Sequence, residues 1–200
     1  MLMSVNCKHE RSVLPMRSDT ECRSPRAWSR RTWLRAASTV ALGTGLGSPS
    51  HDAHAASLEV GRPAPALVLH TIDGRNISTE DLHGHVVILS FWATWCGPCH
   101  QELPLLSDYA AKHAHRGLRV LGFSLDEPAS LSAVREMAAA WSFPVGLLGS
   151  AYAGGYGRIW RIPVNFTIDR NGLLADNGWD SREPAWTAER LDRIVTPLLR

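Results

Sequence analysis

Cys96 and Cys99, in the run F-W-A-T-W-C-G-P-C over 91–99, are the residues of this chain best spaced to do chemistry. Two thiols one helical turn apart can close into a disulfide and reopen, passing two electrons to or from another pair of sulfurs. Pro98 suits the first turn of a helix, which has no use for the N–H that proline lacks. A helix opening there puts Cys96 at its N-terminus, where unpaired N–H groups and the helix dipole favour a thiolate. Cys99 then lies one turn in, partly covered and able to attack a mixed disulfide on Cys96. Trp95, directly before the pair, is expected to shield one side of the thiols.

The same residues admit other chemistry. Cys96-Gly97-Pro98-Cys99-His100 is letter for letter a C-x-x-C-H haem-attachment string, whose distal ligand would have to come from scattered histidines or Met137. His83 with His85 and His113 with His115 could join the cysteines around zinc or copper. Both pairs fall at element ends, where polar side chains face water, and a closed site needs four converging ligands. The expectation is no metal and no cofactor beyond a Cys96–Cys99 disulfide. A peroxidatic cysteine would follow P-x-x-x-T-x-x-C, whereas here Thr94 lies two before Cys96 and the proline is missing. A module that binds partners without exchanging disulfides is the non-enzymatic alternative, and it would tolerate loss of Cys96.

Hydrophobic patterning supplies the elements that position the pair. His85 to Trp92 is nearly continuous apolar sequence rich in β-branched residues, as a strand buried on both faces requires. From Pro98 to about His115 a helical stripe runs through Leu103, Leu106, Ala110 and Ala114, with Pro104 expected to kink it. Leu118 to Leu125 reads as a second buried strand, Pro128 to Trp141 as a helix with Leu131, Val134, Met137 and Ala138 inward, and Pro144 to Leu148 as a short extended piece. Asp126 and Glu127 are read as capping the helix that opens at Pro128. Ala151 to Arg161, with its glycines, is expected to be a weak helix. Val164, Phe166 and Ile168 alternate ahead of Asn171-Gly172, a hairpin signal, and Leu173 to Ala175 returns antiparallel. Glu183 to Leu199 closes with a helix. A leading hairpin is placed over 66–77, followed by a helical turn capped by Ser78. Trp141, Trp160, Trp179 and Trp186 are read as core or docking surface. The order predicts an α/β layer structure with a central mixed β-sheet flanked by helices.

Composition narrows the class. Hydrophobic residues at 44% and charged residues at 20% are ordinary globular values. Residues 1–55 hold 8 Lys and Arg against 4 Asp and Glu, and 56–200 hold 13 against 15. The basicity therefore belongs to the first quarter, and the remainder lacks the broad positive field that nucleic-acid binding needs.

That first quarter reads as an address. S-R-R-T-W-L-R over 29–35 resembles the twin-arginine export signal, with Arg30 and Arg31 as the pair. The apolar stretch after it, Ala36 to Leu46, has about half of the roughly 20 residues a bilayer span needs. Ala53-His54-Ala55 offers small residues at the spacing of a cleavage site. The expected division is an export signal over 1–55, cleaved after Ala55, and one domain over 56–200. An uncleaved anchor is the weaker alternative, and Met16 is an alternative start. Such a signal implies a folded cargo in the oxidising periplasm or cell exterior. Cys7 and Cys22 lie within it and are given no role in the mature chain.

The strand, the C-G-P-C run and the helix together resemble the thioredoxin superfamily, which implies a thioredoxin-like fold for 56–200 and thiol–disulfide oxidoreductase activity. Gly97-Pro98 is the dipeptide of thioredoxin itself. The run C-x-x-C-H-Q-E-L-P narrows the resemblance to the TlpA/ResA-like branch, as do the N-terminal β-hairpin extension, an insertion at roughly 126–148 and the motif P-V-N-F-T-I-D-R-N-G. The resemblance implies that Pro163 is cis and packs against the cysteines, and that the backbone of Ile162 holds an extended substrate segment. Trp95, Gly97 and Pro98 complete the implied substrate surface. It also implies that Glu102 lies near the thiols and accepts a proton from Cys99, directly or through water. Ser90 stands where thioredoxin keeps a buried aspartate, and Val164 where the branch keeps threonine. The partners implied are envelope proteins with cysteines or disulfides, apocytochrome c among them, with a membrane thiol carrier as electron donor.

Overall fold

The computed structural model describes residues 58–200. Arg30, Arg31, the Ala53-His54-Ala55 site, Cys7 and Cys22 lie outside the described residues. A hairpin comes first, β1 (Val68–His70) antiparallel to β2 (Asn76–Ser78). Next come β3 (Val86–Trp92), α1 (Gly97–His113), β4 (Leu118–Ser124), α2 (Leu131–Ala138) and β5 (Val145–Leu147). The chain ends with β6 (Val164–Ile168), β7 (Leu174–Asn177) and α3 (Ala188–Ile194).

Five strands form one sheet in the order β5-β4-β3-β6-β7. β3 runs parallel to β4, β4 parallel to β5, and β6 antiparallel to both β3 and β7. All seven residues of β3 are buried because it lies at the centre with elements on both faces, as its unbroken apolar text predicts. On one face Val86, Ile88, Trp92, Leu118 and Val120 pack against Leu103, Leu106 and Ala110 of α1, Val134 of α2 and Leu191 of α3. On the other, Leu89, Phe91, Phe123 and Phe166 pack against Leu69, Ala153, Tyr156 and Ile159. The inserted residues 126–148 therefore build α2 and the edge strand β5, which a bridge from Thr71 to Gly146 ties to the leading hairpin. Residues ahead of that hairpin also pair, Pro63 bridging Leu173.

Three expectations are corrected. Ala151–Arg161 is not a helix: only Gly154–Tyr156 makes a 3₁₀ turn. Gly154 (φ 53°) and Gly157 (φ 81°) adopt left-handed backbone, which a right-handed helix does not use, and Tyr152 bridges Arg158 instead. The closing helix starts at Ala188, because Thr187 is its cap, the Thr187 hydroxyl accepting from the Arg190 N–H at 3.2 Å. Residues 80–82 make the expected helical turn as a single 3₁₀ turn, and the Ser78 hydroxyl accepts from the Glu80 N–H at 3.2 Å, as read from the sequence. The inward residue at the end of α1 is His113, while Ala114 is exposed. His113 packs against Tyr109 with 4.4 Å between ring centroids and the rings tilted by 46°, and burial, reinforced by the Arg116 charge, lowers its pKa. It does not face water. Helix α1 continues through Pro104, where the His100 carbonyl loses its usual N–H partner.

Candidate active site

Cys96 is the N-cap of α1, and its Sγ accepts from the Cys99 N–H at 3.3 Å. Helix N-termini leave N–H groups without backbone partners, so the first sulfur sits where a negative charge is best met. Pro98 falls in the first turn as expected. The two sulfurs are joined in a disulfide, with 5.3 Å between the Cα atoms. Cys96 keeps 5% of its surface open and Cys99 none, so of the two residues only Cys96 reaches the surface. Gly97 and Pro98 beside it are exposed.

The loop leading into the helix is pinned by Asp126, across 32 residues of chain. Its carboxylate accepts from the Thr94 N–H (2.8 Å), the Thr94 hydroxyl (2.6 Å) and the Ser124 hydroxyl (2.6 Å). Asp126 is thus no helix cap; the turn at Pro128 has no side-chain cap bond. Asp126→Ala is expected to cost about 1–3 kcal/mol, because the Thr94 and Ser124 donors lose their acceptor. Urea unfolding of the oxidised protein measures this, and an unchanged midpoint would contradict it. His100 Nε2 lies 2.7 Å from the Thr94 carbonyl. A carbonyl only accepts, so that nitrogen carries the proton and is committed as a donor, which removes it as a ligand in the C-x-x-C-H reading. Trp95, expected to shield the thiols, is 68% exposed and forms one wall of a cleft of about 240 Å³ with Leu125, Pro128 and Ser150.

Glu102 follows Cys99 by three positions, which places both on one face of α1. It is buried, 2% exposed. Its Oε1 accepts from Asn165 Nδ2 at 2.8 Å and its Oε2 from the Trp186 N–H at 3.0 Å. Burial raises its pKa to about 7, against the lowering effect of these two donors and the Arg190 charge. The Ile162–Pro163 peptide is cis. Phe91 pairs with Val164, so Pro163 meets the end of β3 where the chain turns toward Cys96. Ile162 is half-buried against the cluster that contains both cysteines.

The structure thus gathers Cys96, Cys99, Glu102 and Ile162 about one end of the sheet. It adds Asn165 and Arg190, which the sequence does not mark, and the backbone N–H of Trp186, a residue read from the sequence only as core or docking surface. The signal for Asn165 is its register: Val164, Phe166 and Ile168 face one side, so Asn165 and Thr167 face the other, and in a central strand that side is also buried. Among the described residues no three His, Cys, Asp or Glu side chains gather as a metal site.

Sheet order, cis-proline strand and a cysteine pair heading the first long helix define a thioredoxin-like fold with a dithiol–disulfide centre. A family model described as AhpC/TSA family matches residues 60–176. Thiol-disulfide oxidoreductase ResA of Bacillus thuringiensis (strain Al Hakam) is 31% identical over 122 residues, 60% of this chain and 69% of that one. Thioredoxin-like protein YneN of Bacillus subtilis is 30% identical over 122 residues, covering 60% and 71%. A thiol:disulfide interchange protein of Chlorobium tepidum TLS superposes with a TM-score of 0.58 at 29% identity, covering 70% of this chain and 97% of that one. MTB dsbF, solved in mixed oxidized and reduced forms, gives 0.53 at 26% identity, covering 66% and 93%. The chain belongs to the AhpC/TSA family and is, within the thioredoxin superfamily, a ResA-like thiol–disulfide oxidoreductase.

Proposed function

We propose that this oxidoreductase works outside the cytoplasm as a reductant of envelope proteins, apocytochrome c among them. The reaction runs through Cys96. Its thiolate attacks one sulfur of a partner disulfide, forming a mixed disulfide and releasing one partner thiolate. Cys99 gives its proton to the Glu102 carboxylate, and the resulting thiolate attacks the Cys96 sulfur. The Cys96–Cys99 disulfide forms, the second partner thiolate leaves, and two electrons have passed to the partner. A group titrating near neutrality, such as Glu102 with its pKa near 7, is matched to proton transfer at that pH. Ile162 and Pro163, with Trp95, Gly97 and Pro98, would hold the partner's extended segment.

The observation that carries this reading is a disulfide at a helix N-terminus, with Cys96 reaching the surface, Cys99 fully buried and a buried carboxyl one turn deeper. Export is supported by Arg30 and Arg31 and by the small residues before position 56. Among the described residues no helix is long and apolar enough to cross a membrane. A reductant in an oxidising compartment needs electrons from elsewhere, for which a membrane thiol carrier is the fitting class. Equilibration with glutathione tests the direction. The Cys96–Cys99 couple is expected toward the reducing end of the superfamily range, nearer about −270 mV than about −120 mV. A value at the oxidising end would reverse the assignment.

A further inference from the structure

Glu102 is gripped by groups from two distant parts of the chain, and one carbonyl links them. Asn165 Nδ2, on β6, donates to Glu102 Oε1 and also to the Pro184 carbonyl, at 2.8 and 3.1 Å. Arg190, on α3 and only 4% exposed, donates to the same Pro184 carbonyl at 3.0 Å. Its other terminal nitrogen meets Asp176 at 2.7 Å, and its guanidinium lies 4.2 Å from the Trp186 ring centroid. Trp186, two residues after Pro184, supplies the N–H that holds Glu102 Oε2.

The orientation of the amide follows from donor and acceptor counts. A carbonyl cannot donate, so Pro184 forces the NH₂ edge of Asn165 toward itself, and the same edge serves Glu102. Both carboxyl oxygens then face fixed donors. That pattern suits a carboxylate and offers no acceptor at those positions to a carboxylic O–H. Burial opposes the charge. The charged groups packed about Glu102 are Arg190 and, behind it, Asp176; on its own helix Cys99 is one turn back, and the sheet meets it through the neutral Asn165 of β6, whose register partner on β3 is the neutral Ser90.

We propose that Asn165 and Arg190 are positioning residues that hold Glu102 as a proton acceptor, Asn165 by orienting its carboxylate and Arg190 by fixing the 184–186 segment beside it. This rests on the reading of Glu102 as the acceptor of the Cys99 proton. The two can be tested apart, because in the oxidised protein neither cysteine titrates.

The experiment is a ¹³C NMR titration of the Glu102 carboxyl carbon in the oxidised full chain. Loss of a hydrogen bond to a charged group should raise its midpoint by about one to two pH units in Asn165→Leu. Asn165→Ser, which removes the reach without adding bulk, should do the same and serves if the leucine variant does not fold. Arg190→Met should raise the midpoint as well, and Arg190→Lys, which keeps the charge but not the planar fork, should recover part of the shift. Midpoints unchanged in folded Asn165→Ser and Arg190→Met would overturn the proposal. Failure of the proton-acceptor reading would show separately, as thiol titrations of the reduced protein that Glu102→Gln leaves unmoved.

Discussion

Cys96→Ser is expected to lower the rate of disulfide reduction by at least about a thousandfold, since the residues of such a centre act as a unit and no second nucleophile can replace it. Cys99 cannot substitute because none of its surface is open, whereas Cys96 keeps 5%. Position reinforces exposure. The Cys99 N–H points at the Cys96 sulfur, and the helix N-terminus favours charge on that sulfur. Cys99→Ser should behave differently. Attack by Cys96 remains, resolution is lost, and a mixed disulfide with a disulfide-bearing peptide accumulates. Mass spectrometry of non-reduced digests should map that adduct to Cys96. A Cys96→Ser protein that still reduces the peptide, or an adduct mapped to Cys99 in the wild type, would contradict the assignment. Unchanged biological function of Cys96→Ser would return the chain to the class of partners that bind without exchange.

Glu102→Gln is expected to stabilise the oxidised protein at pH 8 by about 1–3 kcal/mol and to give no gain at pH 4. The carboxyl titrates at about 7 in the folded protein against an ordinary 4.5, chiefly because it is buried. The folded state therefore binds the proton more tightly than the unfolded chain. Below about pH 4.5 both states are protonated and burial of the charge costs nothing; between that and about pH 7 stability falls as pH rises; above pH 7 the full cost, about 3 kcal/mol, is present. Glutamine keeps the volume and removes the charge. It recovers less than the whole, because glutamine keeps one acceptor oxygen for two donors, and its NH₂, which only donates, is left facing either the Asn165 NH₂ or the Trp186 N–H. Urea unfolding at the two pH values measures the difference, and an equal difference at both would show that the charge is not what burial opposes. In the reduced protein the same variant should shift the Cys99 titration; an unmoved profile would remove Glu102 from the reaction.

Much of this architecture is legible in residue order because it rests on short-range patterning. An unbroken apolar run predicts β3 as a strand buried on both faces, and all seven of its residues are buried. Asn171-Gly172 marks the β6–β7 hairpin, where Gly172 takes φ 77°. Cys96, Pro98 and Cys99 need only the local geometry of a strand running into a helix. Misreadings arose where a local pattern met a tertiary partner. Ala151–Arg161 has apolar residues enough for a helix, but its glycines take left-handed backbone and the segment packs as irregular chain on the sheet. The water-facing reading of His113 fails because α1 turns it onto Tyr109.

By itself the order of residues determined the dithiol chemistry, the α/β class and the helix N-terminus under Cys96, since these depend on contacts within a turn or a strand. Only the tertiary structure decided the surroundings of that chemistry. Asn165 and Trp186 reach Glu102 across 63 and 84 residues, and Asp126 reaches Thr94 across 32. A polar side chain in a strand reads as solvent-facing until a helix is known to cover that face. Whether a carboxyl is solvated or held near neutrality depends on which distant donors the fold brings to it.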